Sequence, residues 1–567
     1  MRYIALACDY DGTLAHDGRV DPGTRAALER LKASGRRLIL ATGRRVDDLQ
    51  RVFPDLEVFE RIVAENGAVL LDPSAREQRT LAEPPSMAFI ERLRDRGVSP
   101  FDVGHVIVAT WRPNEMEVLS AIRDLGLEHQ VIFNKDAVMV LPPGVNKATG
   151  LAAALDELHL SPHNVVAVGD AENDHALLQA CECGVAVANA VPMLRERADL
   201  VTEAARGEGV TQLIDRMIAT DLADVSRALA RHDVLLGRDS GGADVRLSPY
   251  GHNVLLAGPS GVGKSTLTNG LLERLADRGY QFCLVDPEGD HEAFRPAVVL
   301  GTAQKAPEPA EVMAVLEVPS QNAIVNLTGV SLDERPRVFD QLLARLQELR
   351  ALAARPHWLV LDEVHHLLPA TWRPASATIP SRPHNLLMVT IDPGLVAPPA
   401  LQAVDTLLLK GPDPSALVDR FAQAIGETPP PGRRLPALTP DEALWWRRGN
   451  GKVNRFTVEP PRAAHRRHRR KYAEGELIEE ERFTFRGPRG QLNLRAENLR
   501  VFVRMADGVD EETWLHHLRL GHYSQWFRKA IKDDTLAAEA EAVERAELPA
   551  AESRARIREA VERRYAV

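Results

Sequence analysis

Residues 3–14 read YIALACDYDGTL, an apolar run that ends in two carboxylates, Asp9 and Asp11, separated by one tyrosine. The run predicts a buried strand, and residues i and i+2 of a strand point to the same side. If strand geometry persists into the turn, both acids face one crevice, at the carboxyl edge where open α/β sheets bind ligands. Gly12 lets the chain turn sharply behind them. Two carboxylates in one crevice can divide labour: one attacks as a nucleophile, the other donates and accepts a proton.

The same kind of strand recurs. RLILATG (37–43) and NVVAVGD (164–170) are buried runs, and DPGTRAALERLKASG (21–35) reads as a helix with Pro22 in its first turn and Gly35 at its end. Buried strands spaced by helices predict a parallel sheet covered on both faces. The stretch from about 81 to 145 breaks this rhythm: GHVIVATWRP, EMEVLSAIRDLG and HQVIFNKDAVMVLPPG read as strand, helix and strand pair, a small α+β insertion. Thr42 stands at the end of the second strand, Lys147 precedes a helix, and Asp170, Asn173 and Asp174 follow the third strand. A hydroxyl, a cation and an acid cluster are what a phosphoryl group and an octahedral Mg²⁺ require.

DYDGTL, ATGR, the lysine and GDAEND, in that order, resemble the four motifs of the haloacid dehalogenase (HAD) phosphatases, with the Cof-like, sugar-phosphatase type as the nearest branch. The resemblance covers residues 1–215, with the cap inserted at about 81–145. It implies Asp9 as the nucleophile that becomes an aspartyl-phosphate, Asp11 as general acid/base, and Thr42 and Lys147 as the phosphate clamp. It implies Mg²⁺ held by Asp9, Asp170 and the backbone carbonyl of Asp11, with Asp174 and Asn173 in support. Arg44 and the cap would set substrate choice.

A second strand–helix alternation runs from about 250 to 426. GPSGVGKST (258–266) follows the apolar NVLLA and precedes a helical stretch, the setting a P-loop needs. Its glycines free backbone N–H groups to face phosphates, and the helix N-terminus adds positive potential. The nucleotide cradle is Gly258, Ser260, Gly261, Val262, Gly263, Lys264, Ser265 and Thr266, with Lys264 on the β/γ-phosphates and Ser265 on Mg²⁺. HWLVLDEVHH supplies Asp362 beside the metal and Glu363 to polarise water, so ATP hydrolysis is favoured over transfer to an acceptor. Residues 233–426 resemble the HerA/FtsK-type RecA-like ATPases. That resemblance implies an oligomeric ring completed by a neighbour's arginine, for which Arg335 and Arg420 are candidates, and implies nucleic acid as a cargo. Thr390–Ile391 departs from the family's Thr–Gln sensor, and the core is compact, which speaks for an ATPase and against a DNA motor.

The expected fold class is multidomain α/β: a HAD Rossmann-like domain with α+β cap, a RecA-like P-loop domain and a mainly helical C-terminal domain. The boundaries are 1–215, a helical linker 216–235, 236–440 for the P-loop domain, a linker 441–475 with the basic run HRRHRRK, and 476–567. Trp514 and Leu518 share a helix face and read as core, and His516, His517 and His522 have no acidic partners at ligand spacing. The four cysteines, Cys8, Cys181, Cys183 and Cys283, are too few for a disulfide framework in 567 residues, and CEC (181–183) reads as buried small residues at a helix end. A formal net charge of −10 gives no support for tight nucleic-acid binding. No run approaches a membrane span, and the N-terminus lacks a signal-peptide h-region, so a cytoplasmic protein is expected. The expectation is a Mg²⁺-dependent phosphomonoesterase, acting on a phosphorylated small molecule or a nucleic-acid end, coupled to an ATPase. The alternatives are an end-processing enzyme similar to polynucleotide kinase-phosphatases and an ATP-dependent DNA-associated switch or defence component.

Overall fold

The computed structural model describes residues 1–225, 229–302, 304–372, 385–427, 435–448, 453–462, 472, 477, 482–531 and 533–565. Its first sheet has eight strands, in the order Leu200–Val201, Cys183–Ala186, Val165–Gly169, Ala5–Cys8, Arg37–Ala41, Arg61–Ala64, Val69–Asp72 and Glu77–Thr80. Ala5–Cys8 pairs in parallel with both Val165–Gly169 and Arg37–Ala41, so the three strands that carry the acidic and hydroxyl residues are neighbours. Their side chains are buried on both faces, as a parallel sheet under helices demands. The flanking helix Pro22–Ala33 starts where Asp21 accepts the N–H of Thr24, and its Ala27, Leu28 and Leu31 pack inward.

A separate four-stranded antiparallel sheet stands above the carboxyl edge, in the order Phe101–Val103, Val108–Trp111, Ala137–Leu141 and Gln130–Asn134. Helices Met87–Asp95 and Glu115–Asp124 close its outer face around Phe89, Leu93, Val118 and Ala121.

The second large sheet has eleven strands. Its parallel part places Asn253–Ala257 between Thr406–Leu409 and Leu386–Thr390, followed by Trp358–Leu361, Phe282–Asp286, Ala323–Asn326 and Val298–Leu300. Four antiparallel strands extend it beyond Thr406–Leu409: Glu442–Arg447, Val453–Val458, Val234–Asp239 and Asp244–Leu247. This corrects the expected boundary at 440. The stretch expected to start a linker is two strands of the sheet, EALWWR and VNRFTV, whose aromatic and β-branched side chains pack into the cores on the two faces of that sheet. The expected linker 216–235 is also partly core: Leu222, Val225 and Leu229 are buried against the first domain.

The two large sheets meet by their amino edges. Arg2, His163–Asn164 and Glu182 precede strands of the first sheet, and Tyr250, Tyr280 and His357 precede strands of the second. Tyr280 donates its hydroxyl proton to Glu182 at 2.6 Å, Tyr250 donates to the His163 carbonyl at 3.1 Å, and His357 meets Asn164 at 3.2 Å. The His163 and Tyr280 rings stack at 3.8 Å, and the Arg2 guanidinium lies 3.8 Å from the Tyr250 ring centre. Because the amino edges touch, the two carboxyl edges face away from each other. Strands of about five residues, at ~3.3 Å per residue, then put roughly 35 Å between the two carboxyl edges.

The last described segment pairs Phe483–Phe485 with Leu494–Ala496 and continues through helices Leu499–Gly508, Glu511–Arg519, His522–Lys529, Asp534–Arg545 and Ala550–Arg564. Trp514, Leu518, Tyr523, Trp526 and Phe527 form its core, and Trp514 stacks on Tyr523 at 4.4 Å. The basic run at 465–471 lies outside the described residues. No described helix is long and apolar enough to cross a membrane.

Candidate active site

Asp9 leaves the Ala5–Cys8 strand at the base of a cleft of about 690 Å³ roofed by the four-stranded sheet. Lys147 donates to Asp9 Oδ1 at 2.5 Å and to Asp174 Oδ1 at 2.6 Å, and all three side chains are buried. Asp174 Oδ2 accepts the N–H groups of Asp170 and Ala171 at 2.9 and 3.0 Å. Asp174 therefore spends both oxygens on holding Lys147 and the Asp170 turn, and it supports the site rather than opening into it. One oxygen each of Asp9, Asp170 and Asp174 lies within 4.8 Å of the others. Gly12 takes φ +84°, and a Cβ there would come within 2.2 Å of Asp170 Oδ2, so glycine is required where the first turn crosses the third.

Burial raises Asp9 well above the usual carboxylate range, and the Asp174 charge adds to this against the pull of Lys147. Asp170 is raised by burial too, with Lys135 opposing. Burial alone would lower Lys147, but Asp174 and Asp9 carry it above the ordinary lysine value.

Asp11 reaches the more exposed side of the same cleft. Arg44 grips it with two bonds, Nε to Oδ2 at 2.6 Å and Nη2 to Oδ1 at 2.7 Å, and uses Nη1 on Asp48 at 2.5 Å. Thr42 is fully buried, and its hydroxyl accepts the N–H of Arg44 at 3.1 Å. Asn173 donates to Asn66 at 3.0 Å. Asp9, Lys147, Asp170 and Asp174 thus come together, while the hydroxyl of Thr42 meets the backbone of Arg44.

Three contributors had no motif to announce them. Lys135, from the turn between the last two strands of the roof, donates to Asp170 Oδ2 at 2.7 Å. Glu65, buried at the end of Arg61–Ala64, accepts the N–H groups of His105, Val106 and Ile107 at 2.9, 2.8 and 3.0 Å and so ties the roof to the sheet. Gly67, at φ +110°, lets its loop lie on the start of the Lys147 helix, where a Cβ would come 1.9 Å from the Asn146 carbonyl. Gly67→Ala is expected to push that helix away, to cost roughly 1–3 kcal/mol and to lower phosphatase turnover more than the folded fraction; urea melts and steady-state rates check both.

At the other carboxyl edge, the loop after Asn253–Ala257 turns through Gly261 and Gly263, both at positive φ, into helix Lys264–Asp277. Lys264 Nζ donates to the carbonyls of Gly258 and Pro259 at 2.8 and 3.1 Å, while Ser260, Ser265 and Thr266 are exposed. Asp362, at the end of Trp358–Leu361, receives the Glu363 N–H at 3.1 Å and a proton of His291 Nε2 at 3.0 Å. Glu363 stands at φ +39°, a strained conformation of the kind that collects at functional sites. His291 is a further residue that sequence reading missed. Burial alone would lower it, but the bond to Asp362 and the Asp286 charge lift it to about 9. Thr390 lies 3.3 Å from His365. Arg420 pairs with Asp392 of its own chain at 2.5 Å, and Arg335 donates to the Val330 carbonyl.

Residues 6–100 and 105–214 match the family of haloacid dehalogenase-like hydrolases. The chain is 30% identical over 224 residues to phosphoglycolate phosphatase 2 of Saccharolobus solfataricus, covering 93% of that protein and 38% of this one. It is 32% identical over 226 residues to the phosphoglycolate phosphatase of Methanothermobacter thermautotrophicus, covering 98% of it. The chain belongs to the haloacid dehalogenase-like hydrolases. A solved HAD-like hydrolase from Bacteroides thetaiotaomicron aligns at 20% identity and TM-score 0.34, over 99% of that chain and 38% of this one. Residues 243–389 match the AAA ATPase domain, so this hydrolase also carries an ATPase domain.

Proposed function

We propose that the first domain is a Mg²⁺-dependent phosphomonoesterase for a small phosphorylated carboxylic acid of the phosphoglycolate kind, and that the second binds and hydrolyses ATP. The observation that carries the reading is the buried Asp9–Lys147–Asp174 triad beneath a roof that brings Lys135 over it. Asp9 Oδ attacks phosphorus, Asp11 gives a proton to the leaving oxygen, and Asp11 then takes a proton from the water that opens the aspartyl-phosphate. For Asp11 to do this, Arg44 must release it, and an incoming phosphate is the anion that can draw Arg44 away.

The donor set fits a divalent cation: three buried carboxylates crowd together, and among the described residues Lys147 and Lys135 pair with them. Asp9, Asp170 and the Asp11 carbonyl would hold Mg²⁺, which when bound offsets phosphoryl charge; Ser265 and Asp362 would hold the ion of the nucleotide. The carboxylate of the substrate is supported by the relatives' names and by Arg45, Lys135 and Arg206 in the cleft wall.

For the ATPase, the adjacent Asp362–Glu363 pair supports hydrolysis over transfer. The opposed carboxyl edges speak against passing an end from a kinase to a phosphatase. We read the ATPase as a nucleotide-dependent regulator of the phosphatase, linked to it through the joined amino edges. A turnover screen over phosphoglycolate, sugar phosphates, nucleotides and 3′-phosphorylated oligonucleotides, with ATP hydrolysis followed in parallel, tests this. Phosphoglycolate is expected to lead; preference for the oligonucleotide would overturn the substrate reading. Lys264→Ala should remove ATP hydrolysis and leave basal phosphatase turnover in place.

A further inference from the structure

Lys410 lies against the phosphate-binding loop, and neither the P-loop motif nor the acid pair accounts for it. It follows Thr406–Leu409, which runs parallel to Asn253–Ala257 with Leu409 opposite Ala257. Its N–H donates to the Ala257 carbonyl at 2.9 Å, so Lys410 leaves its strand where the loop leaves the next. The contact is close along its length. A Cβ on Gly258 would come 2.6 Å from the Lys410 carbonyl, and a Cβ on Gly263 would come 3.3 Å from Lys410 Nζ.

The side chain is out of place as a structural filler. Lys410 is 1% exposed, yet its ammonium, with three N–H donors, has one acceptor among the described residues, the Pro440 carbonyl at 2.8 Å. Burial draws its pKa down to about 8, with only Asp441 pulling the other way. A buried ammonium so sparsely met is costly, and a leucine would seal the same space without that cost. Such a cost is sustained where an anion arrives. Lys264 comes from the helix side, bound to the Gly258 and Pro259 carbonyls, and Lys410 comes from the neighbouring strand.

We propose that Lys410 is a second phosphate-binding lysine of the nucleotide site, meeting the β-phosphate region from the Thr406–Leu409 side of the loop. The proposal rests on the reading of this domain as an ATP site. It asks for a di- or triphosphate: adenosine offers Lys410 nothing.

The test measures binding of ADP, a non-hydrolysable ATP analogue and adenosine to the full chain, as wild type, Lys264→Ala, Lys410→Met, Lys410→Gln and Lys410→Arg. Loss of one charged hydrogen bond corresponds to about tenfold or more in Kd. Lys410→Met and Lys410→Gln are expected to weaken ADP and the analogue by at least that factor, to leave adenosine unchanged, and Lys410→Arg to retain most of the affinity. Lys410→Gln keeps a donor for the Pro440 carbonyl, so it decides the matter should Lys410→Met fail to fold. ADP binding within twofold of wild type in the glutamine variant would overturn the proposal. So would a parallel loss of adenosine, which would mean that Lys410 only shapes the loop. If the wild type binds neither nucleotide, the ATP reading falls and this proposal with it. If the wild type binds and Lys264→Ala does not, that reading stands and the Lys410 variants decide alone.

Discussion

Asp9→Asn is expected to reduce phosphatase turnover by roughly four orders of magnitude or more, the scale of losing a covalent nucleophile, and to leave ATP hydrolysis within twofold of wild type. The first part follows from chemistry: an amide oxygen of the same shape does not attack phosphorus. The fold should tolerate the change. Asp9 is one of three crowded carboxylates, and an asparagine of the same shape keeps an oxygen to accept from Lys147 while Lys147 keeps Asp174. The second part follows from the joined amino edges, which put the two sites roughly 35 Å apart. Turnover of p-nitrophenyl phosphate and release of phosphate from ATP measure both on one preparation. Surviving phosphatase activity would dismiss Asp9 as nucleophile; a matching fall in ATPase rate would dismiss the independence of the two chemistries.

Glu182→Gln is expected to destabilise the chain by about 3–5 kcal/mol, the usual consequence of removing one partner of a buried charge group. The Glu182 carboxylate is fully buried at the join, with Arg2 at 2.5 Å, His163 at 2.7 Å and the Tyr280 hydroxyl at 2.6 Å. Glutamine keeps one acceptor oxygen but takes the Glu182 charge away from Arg2. Burial alone would raise the Glu182 carboxyl, yet the His163 hydrogen bond and the Arg2 and His232 charges hold it below the ordinary range. Its stabilisation is therefore complete above the unfolded value of about 4.3 and is lost as pH falls through the lower folded value. Urea melts of wild type and variant should differ most above pH 5 and converge towards pH 3. Because the residue joins the domains, the variant should also melt in two steps where the wild type melts in one. A difference below about 1 kcal/mol at pH 7 would show that the join does not depend on this charge.

The residues proposed to meet phosphate and metal are legible because their chemistry is local. Asp9, Asp170 and the P-loop each follow an apolar run, and a strand end is a place that a short window of sequence defines. Residues that act through a partner far along the chain were not legible. Glu182 sits inside CEC, which reads as filler, and its partners are 180 residues before it and 98 after it. Glu65 looks like part of a turn until the roof lies on it. His291 and Lys410 become notable only when Asp362 and Gly263 are seen beside them. The strands Glu442–Arg447 and Val453–Val458 are not legible as part of the second sheet, because the edge that they extend, Thr406–Leu409, is a tertiary fact.

YIALACDYDGTL by itself determined a strand, a turn and a pair of acids, since alternation and a following glycine are properties of neighbouring residues. GPSGVGKST did the same for the second site. Which way the two sites face was decided only by the tertiary structure. Orientation depends on which sheet edges bury each other, and that is decided by Arg2, His163, Glu182, Tyr250 and Tyr280, side chains far apart in the chain that meet and pair their buried polar groups at the join.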